Sequence, residues 1–514
     1  MKRTTTALLL VIAAVALGGY AWMELQKPSG GRSITVYCAA GLKKPIEVLA
    51  ADFQKETGTE VSLQYGGTGT LLSQIRVAKQ GDLFIAADEG SLADARKLDV
   101  VKEALPVAVQ HLVIAVARGN PKGIRTLDDL MKSDVRFALP NPEAASAGKI
   151  AKGLLGDRWG AFAAKAAVMK PTVTEVAADV MLGAVDAAVV WDSTVPQFKQ
   201  TEAVVLPELA QHQEKASAAL LSACKQTPVA LQFARYLAAP DKGGAVFANH
   251  GFKPAGGDAW VAKPEMILYS GGVNRPAIEK LVQQFADREG ISVTTIFNGC
   301  GILCASMKAM QDTANPKFPD AYYACDVCFV PPVAEHFPEA VMLTETEIVI
   351  AVPKGNVKKI QTLADLAQPG LKLGVCNAQQ STLGFMTLAI LKSSNLQESV
   401  MKNVVVQVPT ADFLVNQMRA GALDAAVVYK VNVQQVAEHF DMIPLPADKA
   451  RAVQPFAVRH DSPNKHLSNR LLAYLKAHKE SFEEAGFVWT GDGSPVPSNK
   501  LNIPVWLRQP EAKP

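Results

Sequence analysis

The chain carries almost no excess of charge. In 514 residues, Lys+Arg 52 stand against Asp+Glu 49, a net of +3. That balance argues against a nucleic-acid binder that works through bulk charge. Cysteine is sparse, with seven in the chain, which excludes a disulfide-dense scaffold. Signatures of chemistry are missing as well. There is no H-E-x-x-H, no G-x-x-x-x-G-K-[ST], no G-x-S-x-G, no dinucleotide G-x-G-x-x-G and no C-x-x-C-H. The eight His are scattered, and no paired base and nucleophile stands out. A binding protein is therefore expected, not an enzyme. Hydrophobic residues at 49% and charged residues at 20% exclude a disordered chain. The length is too great for one ordinary core.

Long apolar runs are also rare, with one exception at the start. Lys2 and Arg3 precede an uncharged run of 17 residues, Ala7 to Met23. It is long for a signal-peptide core and at the lower edge of a membrane span. No clean A-x-A site follows, and no Cys closes the run for a lipid anchor. Residues 1–32 are expected to be a cleaved signal or an anchor retained in the inner membrane through residues 7–23. Either one sends the remainder out of the cytoplasm.

What the chain does have is a second copy of itself. TVYCAAGLKKPIEVLAADFQKETGTEVSLQYGGTG near the start is answered by MILYSGGVNRPAIEKLVQQFADREGISVTTIFNGCG. Gly58 pairs with Gly290 at an offset of 232, Gly119 with Gly355 at 236, and Gly251 with Gly486 at 235. GAVDAAVVW (Gly183–Trp191) pairs with GALDAAVVY (Gly421–Tyr429) at 238. Offsets this steady describe a duplicated domain. The expected boundaries are 33–253 and 266–490, joined by a Gly/Pro/Ala-rich linker at 254–265 and followed by a tail at 491–514.

Within each copy, apolar runs such as SITVYCA, DLFIAA, VRFALP and DAAVVW alternate with helical spacing, for example Ile46, Leu49, Ala50 and Phe53. The pattern is that of α/β lobes with largely parallel sheets covered on both faces. Ligands of such sheets bind beyond the strand ends. Those ends are small, hydroxylated and nearly uncharged: Ala39-Ala40-Gly41, Gly66-Gly67-Thr68-Gly69-Thr70, Ser146-Ala147-Gly148 and Asp192-Ser193-Thr194. Glycines and helix N-termini there would offer backbone donors to a desolvated anion.

The series strand–AAG–L, YGGTGTLLSQI, GDLFIAAD and DAAVVW resembles the periplasmic molybdate-binding proteins of ABC importers. The resemblance runs over residues 33–253 and again over 266–490. It implies two tandem type II periplasmic-binding-protein domains, each of two α/β lobes with a hinge cleft. It also implies a small oxyanion ligand held without charged contacts, hinge closure, an ABC permease as partner, an extracytoplasmic location and a monomer. By position, Thr68 and Gly69 match the family's second ligand loop, Gly41 its first loop, Val176 its backbone donor region and Trp191 its contacting Tyr. In the second copy the matching positions are Ser270, Gly271, Cys300, Gly301 and Tyr429, with Cys300 in the place of Thr68.

Five of the seven cysteines lie in the second copy. Cys300 and Cys304 share a helical face. Cys325 and Cys328 form CDVC, expected on the strand that matches GDLFIA after an insertion of 12 residues, with Asp326 as the counterpart of Asp82. Cys376 ends the strand matching VRFALP. Three readings stay open: structural disulfides, a thiolate site for Zn or Cu(I) at Cys300, Cys304, Cys325 and Cys328, or a redox-active dithiol at Cys325–Cys328. Cys38 and Cys224 are expected to be small core residues. A membrane-anchored sensor or scaffold with such a Cys site is the alternative function.

Overall fold

The structure is a computed structural model that describes residues 32–310, 313–446 and 450–501. The expected leader and anchor lie outside those residues. Among the described residues, no helix is long and apolar enough to cross a membrane. The chain divides into two compact units, with the break between Ala262 and Lys263.

Unit one runs β1 (Ser33–Ala39), α1 (Lys43–Thr57), β2 (Glu60–Gly66), α2 (Thr68–Ala78), β3 (Leu83–Ala86), α3 (Glu89–Lys97) and β4 (Val101–Ala117). It continues through β5 (Phe137–Pro140), α4 (Ser146–Leu155), β6 (Val168–Lys170), α5 (Val173–Met181), β7 (Ala187–Trp191), β8 (Thr201–Val204) and β9 (Gln213–Leu221). The strand order is β2-β1-β3-β9-β4-β7-β5-β6. β1 pairs in parallel with β2 and β3, and β5 with β6 and β7, whereas β9 and β4 run antiparallel to their neighbours, so the sheet is mixed and not largely parallel as expected. On α1, the apolar face Ile46, Leu49, Ala50 and Phe53 is buried. Gly58 ends that helix in the left-handed region, at φ 72°.

The long strand β4 makes one unit of two lobes. Val101 to His111 pair with β9, and Leu112 to Val116 pair with β7. One strand is thus shared between the sheets, and the cleft lies beside it. At the handover, His111 Nδ1 meets Asp192 Oδ2 at 3.0 Å, and the His111 N–H donates to Asp192 Oδ1.

Unit two repeats this arrangement: β10 (Glu265–Gly271), α6 (Arg275–Glu289), β11 (Ser292–Asn298), α7 (Cys300–Met310), β12 (Ala321–Tyr323) and β13 (Glu339–Pro353). Then come β14 (Leu373–Cys376), α8 (Thr382–Ser393), β15 (Val404–Val408), α9 (Ala411–Arg419), β16 (Ala425–Tyr429) and β17 (Arg451–Val458). The order β11-β10-β12-β17-β13-β16-β14-β15 matches unit one strand for strand. The handover pair is kept with its polarity reversed. Glu347, in the register of His111, binds Lys430, in the position of Asp192, at 2.8 Å.

The structure corrects one register. Asp82 accepts from the Thr35 N–H and its own N–H donates to Thr35 O, which pins β3 against β1. Asp320, not Asp326, does the same for Ile267. The matching strand is therefore Ala321–Tyr323, and CDVC follows it. Asp326 is the counterpart of Asp88: both cap the next turn, through Cys328 N and Ser91 N respectively. Two adjacent Tyr in a short strand hid the match to LFIA.

The stretch 254–265 is anchored along much of its length. Lys253 and Pro254 pair with β4, and Trp260 packs on Phe53 and Tyr236 while Nε1 donates to Glu56 Oε1 at 2.5 Å. In the expected tail, Val496 and Pro497 pair with β13.

Candidate functional site

Three α-helices of unit one begin at the same place. Their N-caps are Gly67 for α2, Ala145 for α4 and Thr172 for α5. All three residues line one small cavity between the lobes, with Gly41, Thr68 and Trp191 among the others. The first N–H groups of a helix have no acceptor within it, and its N-terminal end carries partial positive charge. No lining residue is charged. The hydroxyls of Thr68 and Ser146, both buried, face each other across the cleft at 3.5 Å. Thr194 Oγ1, near Gly41, is buried with no hydrogen-bond partner. The free volume is about 20 Å³. With a water radius added on every side, that suits an occupant of about 3 Å radius. A compact tetrahedral ion has that size; a sugar or peptide does not.

The lobes touch directly around this cavity, and they do so through backbone. Gly69 N–H donates to Ala144 O in the opposite lobe at 3.0 Å. A Cβ on Gly67 would stand closer than 3.0 Å to both Ala144 O and Pro171 O, and one on Gly69 would meet Glu143 O. Gly67 and Gly69 of the GGTG run are thus needed for the approach of the lobes. The same contact recurs in unit two. Ile302 N–H donates to Gln380 O at 3.4 Å, and a Cβ on Gly299 would collide with Gln380 O and Pro409 O.

Gly41, Thr68 and Trp191 line the cavity, and Gly69 lies beside it at the lobe contact. Val176 does not line it. Its N–H donates within α5 to Thr172 O at 3.4 Å and its side chain is buried, so Thr172 and Val173 take the position at the helix start. The signal was the T-V-T-E pattern of an N-cap: Glu175 N–H donates to Thr172 Oγ1, whose hydroxyl donates to Glu175 Oε2. Thr194 and Ser146, the other hydroxyls, lay in strand-end tips whose individual orientations the sequence does not fix.

In unit two the corresponding floor is sulphur. Cys300 opens α7, and its Sγ lies 2.6 Å from Cys325 Sγ and 3.0 Å from the Cys325 N–H. Gly301 lies against the other lobe at Gln379 O, and Gly271 against the two sulphurs. Ser270 is turned inward: its hydroxyl donates to Gly271 O and accepts from Asn274 Nδ2. Tyr429 OH, from the opposite lobe, is buried with no hydrogen-bond partner, and the buried Thr382 hydroxyl of that lobe bonds toward the Cys300 and Cys325 sulphurs.

The four thiols of the Zn or Cu(I) reading are not brought together. Cys304 Sγ points to Phe329 O at 3.2 Å, and Cys328 sits in the turn capped by Asp326. Among the described residues, no group of three or more His, Cys, Asp or Glu is placed to hold a metal ion. Burial pushes the Cys304 and Cys376 thiols up to about 12. Cys38 is buried, and Cys224 is half-buried and donates to Asp82 Oδ1 at 3.1 Å.

The profile of a family described as bacterial extracellular solute-binding protein matches residues 34–253 and again 267–488. A Haemophilus influenzae chain, provisionally named a binding protein, is 28% identical over 222 residues, 43% of this chain and 90% of its own. The molybdate-binding protein ModA of Mycobacterium bovis is 26% identical over 209 residues, 40% of this chain and 78% of its own. Among solved structures, the periplasmic molybdate-binding protein of Azotobacter vinelandii aligns with 43% of this chain and 98% of its own, at 20% identity and a TM-score of 0.37.

Proposed function

The chain belongs to the bacterial extracellular solute-binding protein family, twice over, and from that premise we propose that its first unit captures a small oxyanion of the molybdate kind for an ABC permease. As a member of that family it is an extracytoplasmic solute-binding protein of ABC-importer type. The ligand, the residues that hold it and the closing motion are this reading's own. What carries it is the convergence of three helix N-termini and two facing hydroxyls on an uncharged cavity suited to an ion of about 3 Å radius.

In this reading Thr68 Oγ and Ser146 Oγ donate to the anion from opposite lobes, with first-turn N–H groups of α2, α4 and α5 completing the shell. Trp191 and Gly41 close the apolar side. Neutral donors can hold an anion in a dry site because charge-assisted hydrogen bonds are about twice as strong as neutral ones. A bound ion would bridge the lobes, and the Gly67–Ala144 approach would then complete the closed form. The relatives' names support the ligand class. Titration calorimetry of the first unit's site with molybdate tests this. A single site that weakens about tenfold or more in Thr68→Ala is expected, from the worth of a hydrogen bond to a charged group. Absence of binding by molybdate, tungstate and sulfate would refute it.

A further inference from the structure

The second cleft differs from the first at three positions that touch one another. Ala39, Thr68 and Ala87 of unit one line its cavity. By strand register their counterparts are Gly271, Cys300 and Cys325. A methyl has been given up at 271 where sulphur has been added. A Cβ there would stand closer than 3.0 Å to Cys325 Sγ and 3.2 Å from Cys300 Sγ. The exchange fits two sulphurs against each other at 2.6 Å, closer than two unbonded sulphur atoms pack.

Their surroundings favour one thiolate. Burial raises the Cys300 thiol, but hydrogen bonds from the Cys325 thiol, Tyr322, the Cys325 N–H and the Thr382 hydroxyl outweigh it and hold Cys300 below the ordinary thiol value. Cys325 keeps the proton and is pushed up, first by that bond and then by burial. Cys300 also stands at the N-terminus of an 11-residue helix, a position that favours a thiolate. Both cysteines belong to one lobe. From the other lobe the Thr382 hydroxyl reaches both sulphurs and the buried Tyr429 hydroxyl lies near them, so the pair forms the cleft floor and is reached when the lobes part.

We propose that Cys300 and Cys325 are a reversible dithiol–disulfide couple in the floor of the second cleft, exchanging with a disulfide-bearing reactant. The Cys300 thiolate attacks one sulphur of RSSR and releases RS⁻, giving a mixed disulfide at Cys300. Cys325 then loses its proton and its sulphur attacks Cys300 Sγ, expelling the second RS⁻. The two thiolates leave as 2 RSH with the two protons from the cysteines. Two electrons pass from the cysteine sulphurs to RSSR. This step is independent of what the first cleft binds.

The test equilibrates the full chain with glutathione at a series of reduced-to-oxidised ratios, quenches with iodoacetamide and maps peptides by mass spectrometry. A single linked peptide joining Cys300 to Cys325 is expected, appearing with one two-electron midpoint and reversed by excess reduced glutathione. The other five cysteines should be alkylated after unfolding. Cys304→Ser should retain the link. In Cys325→Ser, which cannot complete the second step, one glutathione should be trapped on Cys300. Both cysteines alkylated at the most oxidising ratio, Cys300 unmodified in Cys325→Ser, or a link from either cysteine to Cys304, Cys328 or Cys376, would overturn the proposal.

Discussion

Replacing Gly67 by alanine isolates the lobe contact from ligand chemistry. The backbone there, φ −67° and ψ 144°, suits alanine, so the loop itself takes no strain. The obstacle lies across the cleft. The added carbon would stand closer than 3.0 Å to Ala144 O and to Pro171 O, and a main-chain carbonyl has no rotamer with which to retreat. Ordinary contact needs the lobes to part locally by about 1 Å. That would break the Gly69 N–H bond to Ala144 O, now 3.0 Å. Overpacking of this kind costs about 1–3 kcal/mol, which predicts molybdate affinity about 5- to 150-fold weaker. No ligand-facing hydroxyl is lost. Gly153→Ala is the control: the position is in α4 with nothing within 4 Å of a new Cβ, so the fold should gain about 0.5–1 kcal/mol with affinity unchanged. Calorimetry reads the affinities and urea denaturation the stabilities. The reasoning fails if Gly67→Ala binds as tightly as the parent, or weakens only as far as its fold stability falls.

Other expectations follow from neighbouring features. Ser146→Ala removes the second facing hydroxyl and should weaken molybdate roughly tenfold by the same calorimetry. Glu289, fully buried and bonded by Arg288 at 3.2 Å and by Arg470, should be costly to truncate. Glu289→Ala removes a fully buried carboxylate that two guanidinium groups share and should lower urea stability of unit two by about 3–5 kcal/mol. Lys242, bonded to Glu56 at 2.8 Å, holds that carboxyl below the usual carboxylate range, with help from Trp260. A lowered carboxylate stabilises above its unfolded value and loses that as pH falls through the folded one. Trp260 emission should therefore shift to the red below about pH 4.5, and Glu56→Gln should abolish the shift.

The duplication was plain in the sequence because GAVDAAVVW and GALDAAVVY preserve strand, turn and offset together. The α1 face was equally plain, since Ile46, Leu49, Ala50 and Phe53 report their burial through spacing alone. Thr68 and Trp191 could be placed because each directly follows or ends a recognisable strand. What the pattern did not carry was contact between distant segments. Gly67 reads as a tight turn; that it meets Ala144 and Pro171 depends on two loops far along the chain. The helix start at Thr172 was misjudged toward Val176 although an N-cap threonine was present. Four cysteines at promising intervals suggested one cluster, yet Cys304 lies one turn beyond Cys300 and is drawn toward Phe329 O. Alignment of Asp82 with Asp326 failed because an aspartate stands both before β12 and just after it.

A clasp built from peptide atoms leaves few positions at which mutation can loosen it, chiefly its glycines. Residues beside it can drift widely while the fit of one jaw to the other survives. This chain displays that latitude within itself, with thiol for hydroxyl at one floor position and phenol for indole at another, under the same glycine-to-carbonyl fit. Duplication followed by change of cargo is easy in such a design, since a new specificity does not require a new way of shutting.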